Sequence, residues 1–328
     1  MVVEQIDLFA AAPARPDPTR QQLERERTEC AGIATRLPRG LFFGTSSWSF
    51  PDWEGIVYPR RSSTAELARD GLSEYARHPL LTTVGIDRSY YAPIPRSDLE
   101  RYASQLPPGF PCCAKAPESV TAAALGPRAG PDSGRRNPDF FRPRKFEDEV
   151  LASFADAFAE HAGPFILQVP PAPRHAARAP EEFAAELERF LALLPRRFRY
   201  AVELREERLL TRSYRDALAA HGAAHVYNFA GSMPMPADQE RVVPVRTADF
   251  TVVRLLLPPG RLYGERRDEL WPFDRISSPQ PEMRRQVVEL AGRALDLGRT
   301  VTVLVNNKAE GCAPLTIRAL AEMLAEGS

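Results

Sequence analysis

Eight short apolar runs in this chain each close on a polar side chain, and those side chains are the residues best placed to do chemistry. They are Ser46, Asp87, Lys115, Gln168, Glu203, Asn228, Arg254 and Asn306. Arg205 stands two positions after Glu203, so on a strand the two point the same way, and Asn307 adjoins Asn306. Glu203 suits a general acid or base, or equally the ion-pair partner of Arg254. Lys115 suits a clamp on phosphate or carboxylate, or a Schiff base where burial lowers its pKa. Trp48, Trp53 and Tyr91 follow the first two runs and suit stacking on a planar or sugar-bearing anion. Any one of these polar groups could instead satisfy a neighbouring backbone atom. All eight runs ending this way favours a shared ligand pocket, with Glu203 and Lys115 catalytic and the others binding substrate.

The sequence carries little for other chemistries. The five histidines (78, 161, 175, 221, 225) fall mostly in helices or loops and none ends an apolar run, so no transition-metal site is expected. Mg²⁺ on Asp87 and Glu203 has no further support. No G-x-S-x-G elbow, P-loop or HExxH occurs. The four cysteines include no CxxC pair, which argues against a disulfide framework or a thiolate zinc site. The residues name no cofactor.

The elements that would position these groups alternate regularly. Runs at 41–46, 81–87, 112–115, 164–169, 199–204, 224–228, 251–256 and 300–306 read as buried strands. Helical patterns fill 64–77, 97–106, 145–161, 180–194, 213–222, 282–295 and 314–324. Phe146, Val150, Phe154 and Phe158 form one apolar stripe at fourfold spacing. Only 229–250 lacks a clear helix. Eight such alternations predict a (β/α)8 TIM-type barrel over 41–328, with its chemistry where strands end. A doubly wound open sheet is the runner-up, and it lacks the GxGxxG fingerprint.

Composition sets the limits. The chain has 328 residues with 43 basic and 43 acidic side chains, so any anion site must be a local patch. Lysine occurs only at 115, 145 and 308; arginine supplies every other cation. A retained lysine is therefore informative, because its pKa is tunable and that of arginine is not. No stretch approaches the roughly 20 apolar residues needed to span a bilayer, and the start of the chain has no basic leader. A reducing cytoplasm is the expected location. Residues 1–40 read as a disordered, flexible tail, Pro- and Ala-rich over 10–20, with a short charged helix at 21–36.

Several segments together resemble the YecE-like family, a domain of unknown function with a TIM-barrel-type fold. They are GTSSWSFPDWEGIVYP (44–59), SYYAPI (89–94), CCAKAP (112–117), FILQVPPAP (165–173), AVELRE (201–206), VVRL (252–255) and VLVNNKAEGCAP (303–314). The resemblance implies pocket positions at Gly44, Thr45, Ser46, Trp48, Trp53, Tyr91, Lys115, Gln168, Pro170, Pro171, Glu203, Arg205, Arg254, Asn306 and Asn307. It also marks departures from the family pattern. Gly85 stands where an acidic residue is usual, Ala123 where a His is usual, and Asn228 where an Asp is common. Leu256 and Leu257 stand where His-Gly is common. These departures remove acid/base or metal groups and weaken a hydrolytic reading.

Two further features point to nucleic-acid metabolism. Gln5, Leu8 and Phe9 belong to a QIDLF peptide that resembles the motif by which bacterial replication and repair proteins dock on the DNA sliding clamp. The loop 128–145 holds Arg128, Arg135, Arg136, Arg142, Arg144 and Lys145 against Asp132 and Asp139, and suits contact with a phosphate backbone. The sequence therefore favours an enzyme acting on an anionic substrate, with nucleotides and nucleic acid among the candidates, and recruited to the clamp. The competing reading is a non-catalytic ligand- or nucleic-acid-binding module tethered to the same DNA repair machinery.

Overall fold

The computed structural model describes residues 17–261 and 263–327, so the Gln5–Phe9 peptide lies outside the described residues. Eight strands pair in chain order: β1 (Leu41–Thr45), β2 (Thr83–Ile86), β3 (Cys112–Lys115), β4 (Ala162–Val169), β5 (Tyr200–Leu204), β6 (Ala224–Phe229), β7 (Phe250–Leu255) and β8 (Thr300–Val305). All eight joints are parallel, and β8 returns to β1 to close the barrel. The expected TIM-type barrel is the observed fold.

The helices are α1 (Pro18–Ala34), α2 (Thr64–Asp70), α3 (Leu72–Tyr75), α4 (Arg96–Ala103), α5 (Glu118–Thr121), α6 (Pro143–Phe146), α7 (Ala152–Ala157), α8 (Pro180–Ala192), α9 (Arg212–His221), α10 (Pro236–Val242), α11 (Tyr263–Leu270), α12 (Pro281–Asp296) and α13 (Ala313–Glu326). The stripe Phe146, Val150, Phe154 and Phe158 is buried as its spacing predicts, although a wide π turn at Glu147–Leu151 interrupts the helix. Helix α10 falls in the interval where none is expected. It buries only Pro236 and Gln239, so it has no apolar stripe to read. Gln239 holds it instead, donating to Asn228 O at 2.6 Å and accepting from Asn228 N at 3.1 Å. Helix α1 is docked rather than loose. It buries Leu23, Cys30 and Ile33, and Arg318 of α13 grips Glu26 and Glu29 at 2.6 and 2.7 Å.

A two-residue rule inside the ring explains why the strands end polar. Cys113, Ile166, Ala201, Val226, Val252 and Leu304 belong to one small apolar cluster. Two positions further along the same strands stand Lys115, Gln168, Glu203, Asn228, Arg254 and Asn306. Side chains two apart on a strand share a face, so the apolar layer and the polar residues above it are successive tiers of one interior. The larger core, between barrel and helices, takes the alternate positions, such as Phe165, Leu167, Val202, Val253 and Val303.

Two joints of the ring are short. β1 pairs with β2 only at Gly44↔Thr83 and Thr45↔Val84, and β5 with β6 only at Ala201↔Ala224 and Val202↔His225. Gly44 is required at the first, since a Cβ there would stand 2.1 Å from Thr83 O. Side chains complete both joints. The buried Tyr75 hydroxyl accepts from Thr45 N at 2.9 Å and donates to Thr83 O at 3.1 Å. At the second, Tyr214 donates to Val202 O at 3.2 Å and Asn228 Nδ2 to Leu204 O at 2.8 Å. Tyr75→Phe strands a buried N–H and is expected to lower stability by about 1–3 kcal/mol. Urea unfolding checks this; an unchanged midpoint would show that the joint does not need the hydroxyl.

Candidate functional site

At the strand C-termini a cavity of about 210 Å³ is lined by Asp87, Tyr90, Tyr91, Lys115, Gln168, Arg205, Leu256, Leu257, Asn306 and Lys308. Beneath it lies a charged network centred on Arg254, whose side chain is wholly buried. One Nη of Arg254 donates to Glu203 Oε2, and the other lies 2.9 Å from both oxygens of Asp87. Glu203 Oε1 accepts from Arg205 Nε at 2.5 Å, and Arg205 Nη2 reaches Gln168 Oε1 at 3.1 Å. Asp87 turns its Oδ2 also to Lys115 Nζ, 3.1 Å away. Lys115 is pinned by its backbone as well, its N–H donating to Ser89 Oγ at 2.9 Å.

The protonation states follow from this geometry. Burial by itself raises the Glu203 carboxyl, but Arg205, Arg254 and Lys115 overwhelm that effect and bring it down to about 2. With a guanidinium on each oxygen, Glu203 is held ionised by its ion pairs with Arg205 and Arg254. Lys115 moves the other way. Burial lowers its ammonium to about 8, helped by Arg254 and Arg205 and opposed by Asp87 and Glu203. Lys115 thus titrates close to neutrality at the floor of the cavity.

Not every expected residue reaches the cavity. Asp87, Tyr91, Lys115, Gln168, Arg205 and Asn306 line it; Glu203 and Arg254 lie just below. Trp48 and Trp53 do not stack at the mouth. Trp48 is buried, donating from Nε1 to Leu67 O at 2.8 Å, and Trp53 is buried against Phe50. Asn228 completes the β5–β6 joint, and Asn307 Oδ1 accepts from Ala313 N at 2.8 Å at the start of α13. Ser46 is buried, and its backbone crowds Gly85, where a Cβ would sit 3.0 Å from Ser46 O. Four lining residues were not among the expected set: Tyr90, Leu256, Leu257 and Lys308. Lys308 carried a signal, as one of three lysines in the chain.

Two cations of the basic loop are paired locally. Arg135 pairs with Asp132, Lys145 with Glu149 and Asp139, and Arg136 donates to His175 O. Arg128 lies over the exposed Tyr91 ring at 3.9 Å, so the loop rests on the cavity rim. The one potential metal trio among the described residues is Glu26, Cys30 and His78, none of which lines the cavity; Arg318 already occupies Glu26. A larger cleft of about 620 Å³ opens at the other end of the barrel, lined by Arg196, Arg199, Arg246 and Arg299 among others. Its residues precede strands or end α8 and α9, where cations complement helix C-termini, so the smaller cavity is the better candidate for chemistry.

A closed ring of eight parallel strands with helices between them has the architecture of a TIM barrel. The chain belongs to the DUF72 family, described as proteins of unknown function, whose model matches residues 42–328. This is the family that the YecE-like resemblance indicated. Among solved structures, the fold is similar to a DUF72 family protein from Thermotoga maritima, at 19% identity and a TM-score of 0.59 over 87% of this chain and 98% of that one. It is similar also to a DUF72 family protein from Enterococcus faecalis, at 16% identity and a TM-score of 0.59 over 86% and 95%. No curated protein matches this chain. No helix among the described residues is long and apolar enough to cross a membrane.

Glu203→Gln leaves two buried or half-buried guanidinium groups short of a counter-charge and is expected to cost about 3–5 kcal/mol near neutral pH. Because the folded carboxyl is depressed, its contribution is complete above the ordinary value near 4.5 and is lost as pH falls towards about 2. Urea unfolding of both proteins across pH should show the gap narrowing below pH 4.5; a gap that is constant or widens in acid contradicts this charge assignment.

Proposed function

We propose that this protein is an enzyme acting on a small anionic substrate, phosphate- or carboxylate-bearing, at the C-terminal mouth of the barrel. The observation that carries the reading is the charge balance of the site. Three cations, Lys115, Arg205 and Arg254, face two carboxylates, Asp87 and Glu203, and both carboxylates are already held by guanidinium groups. The surplus is positive, in a recess partly screened from water, where an anion gains more than at an open surface. Arg205, still partly exposed, Gln168 and Asn306 supply directional hydrogen bonds around it. Leu256 and Leu257 make one side apolar, which suits a short carbon skeleton. Lys115 is the group with the pKa for proton transfer or nucleophilic attack.

The test is calorimetric titration with inorganic phosphate and with small carboxylates at low salt. Arg205→Gln should weaken binding about tenfold or more, equivalent to about 1.4 kcal/mol. Undiminished binding by that variant would remove the mouth as the anion site. Binding without turnover of any bound anion would select the non-catalytic module.

We also infer that Gln5, Leu8 and Phe9 tether the barrel to the DNA sliding clamp. The support is the peptide itself and its position just before a helix fixed to the barrel by Arg318. A peptide of residues 1–12 should bind clamp, and Leu8→Ala with Phe9→Ala should abolish binding. Equal affinity of the doubly substituted peptide rejects the tether.

A further inference from the structure

We propose that Lys115 is a covalent catalyst, forming an imine with the carbonyl carbon of a small 2-oxo acid whose carboxylate is held in the mouth. This rests on the anion-site reading above and goes beyond it by naming the substrate class and the bond. The geometry supplies what such a step needs. The amine lies at the floor of a cavity of about 210 Å³ and is one-tenth exposed, so it is reachable and largely dehydrated. It is fixed from both ends, by the Ser89 hydroxyl on its backbone N–H and by Asp87 at 3.1 Å from Nζ. Asp87 is shared with Arg254, which draws on both its oxygens, so it is a weaker counter-ion for the amine than an undivided carboxylate. Burial and the nearby guanidinium groups favour the neutral amine, whereas Lys145, half-buried beside Glu149, is shifted the opposite way. Arg205, still partly exposed, lines the same cavity and provides charge for a carboxylate next to the reacting carbon.

The step balances without a redox partner. Nζ, having released its proton to solvent, donates its lone pair to the carbonyl carbon, and the C=O π pair moves to oxygen. Proton transfer from nitrogen to that oxygen gives a carbinolamine. A second proton on the oxygen lets it leave as water while the nitrogen lone pair closes the C=N bond. The oxygen lost is that of the substrate carbonyl, and the products are one protonated imine and one water; loss of the remaining N–H proton to solvent gives the neutral imine and returns the proton taken up by the oxygen. The protons exchange with solvent through the open mouth of the cavity.

The test is reductive trapping. The full chain is incubated separately with pyruvate, glyoxylate and 2-oxoglutarate, treated with sodium borohydride and digested for peptide mass analysis. With lysine only at 115, 145 and 308, the modified position is read directly. The expected result is the mass of one reduced oxo-acid adduct on the Lys115 peptide, dependent on both reagents. Lys115→Arg keeps the cation and should lose the adduct while retaining a thermal shift with the same acids. A thermal shift without any adduct, or an adduct only at Lys145 or Lys308, overturns the imine and leaves the anion site standing. Neither shift nor adduct with all three acids overturns the imine and, with it, carboxylate binding at the mouth.

Discussion

A guanidinium sealed inside the barrel is the constraint on which the rest of the site depends. Arg254 has no exposed side-chain surface, and arginine does not escape burial by losing its proton. Removing such an ion from water costs several kcal/mol unless charges and hydrogen bonds answer it. The answers come from far along the chain, Asp87 at the end of β2 and Glu203 on β5. Once these are committed, Arg205 is drawn to the outer oxygen of Glu203, and Lys115 to the remaining face of Asp87. The arrangement of the cavity floor is therefore largely the solution to a single desolvation problem.

That solution also divides the labour among the charged groups. Glu203 is occupied on both oxygens, by Arg205 and Arg254, and is held ionised. Arg254 is sequestered. At the next level up, Arg205, Lys115 and Lys308 border the cavity with Gln168, Tyr90 and Asn306.

Much of this was legible in the sequence, and the failures have identifiable causes. The strands announced themselves as short apolar runs, and the polar residue ending each run marked the upper tier of the interior, because the two tiers are two residues apart. Trp48 and Trp53 misled, since an aromatic following a strand has the same sequence signature whether it turns to the rim or into the helix layer. Asn228 and Asn307 misled for a related reason: an amide at a strand end can serve a ligand or a neighbouring backbone, and here both serve backbone. Helices α10 and α11 were illegible because neither presents an apolar stripe. Gln239 secures the first through hydrogen bonds, and the buried Arg266, donating to Lys308 O and Ala309 O, secures the second.

The two short joints have a mechanical meaning. Cutting the ring at β1–β2 and at β5–β6 divides it into two arcs of four strands, one running from β2 to β5 and the other from β6 round to β1. Within each arc the ladders are longer, while across the cuts Tyr75, Tyr214 and Asn228 stand in for missing backbone rungs. Arg254 belongs to the second arc, and both of its carboxylate partners belong to the first. The guanidinium is thus a cross-tie between two stiff shells, and any breathing of one shell against the other must stretch the very bonds that hold Asp87 against Lys115.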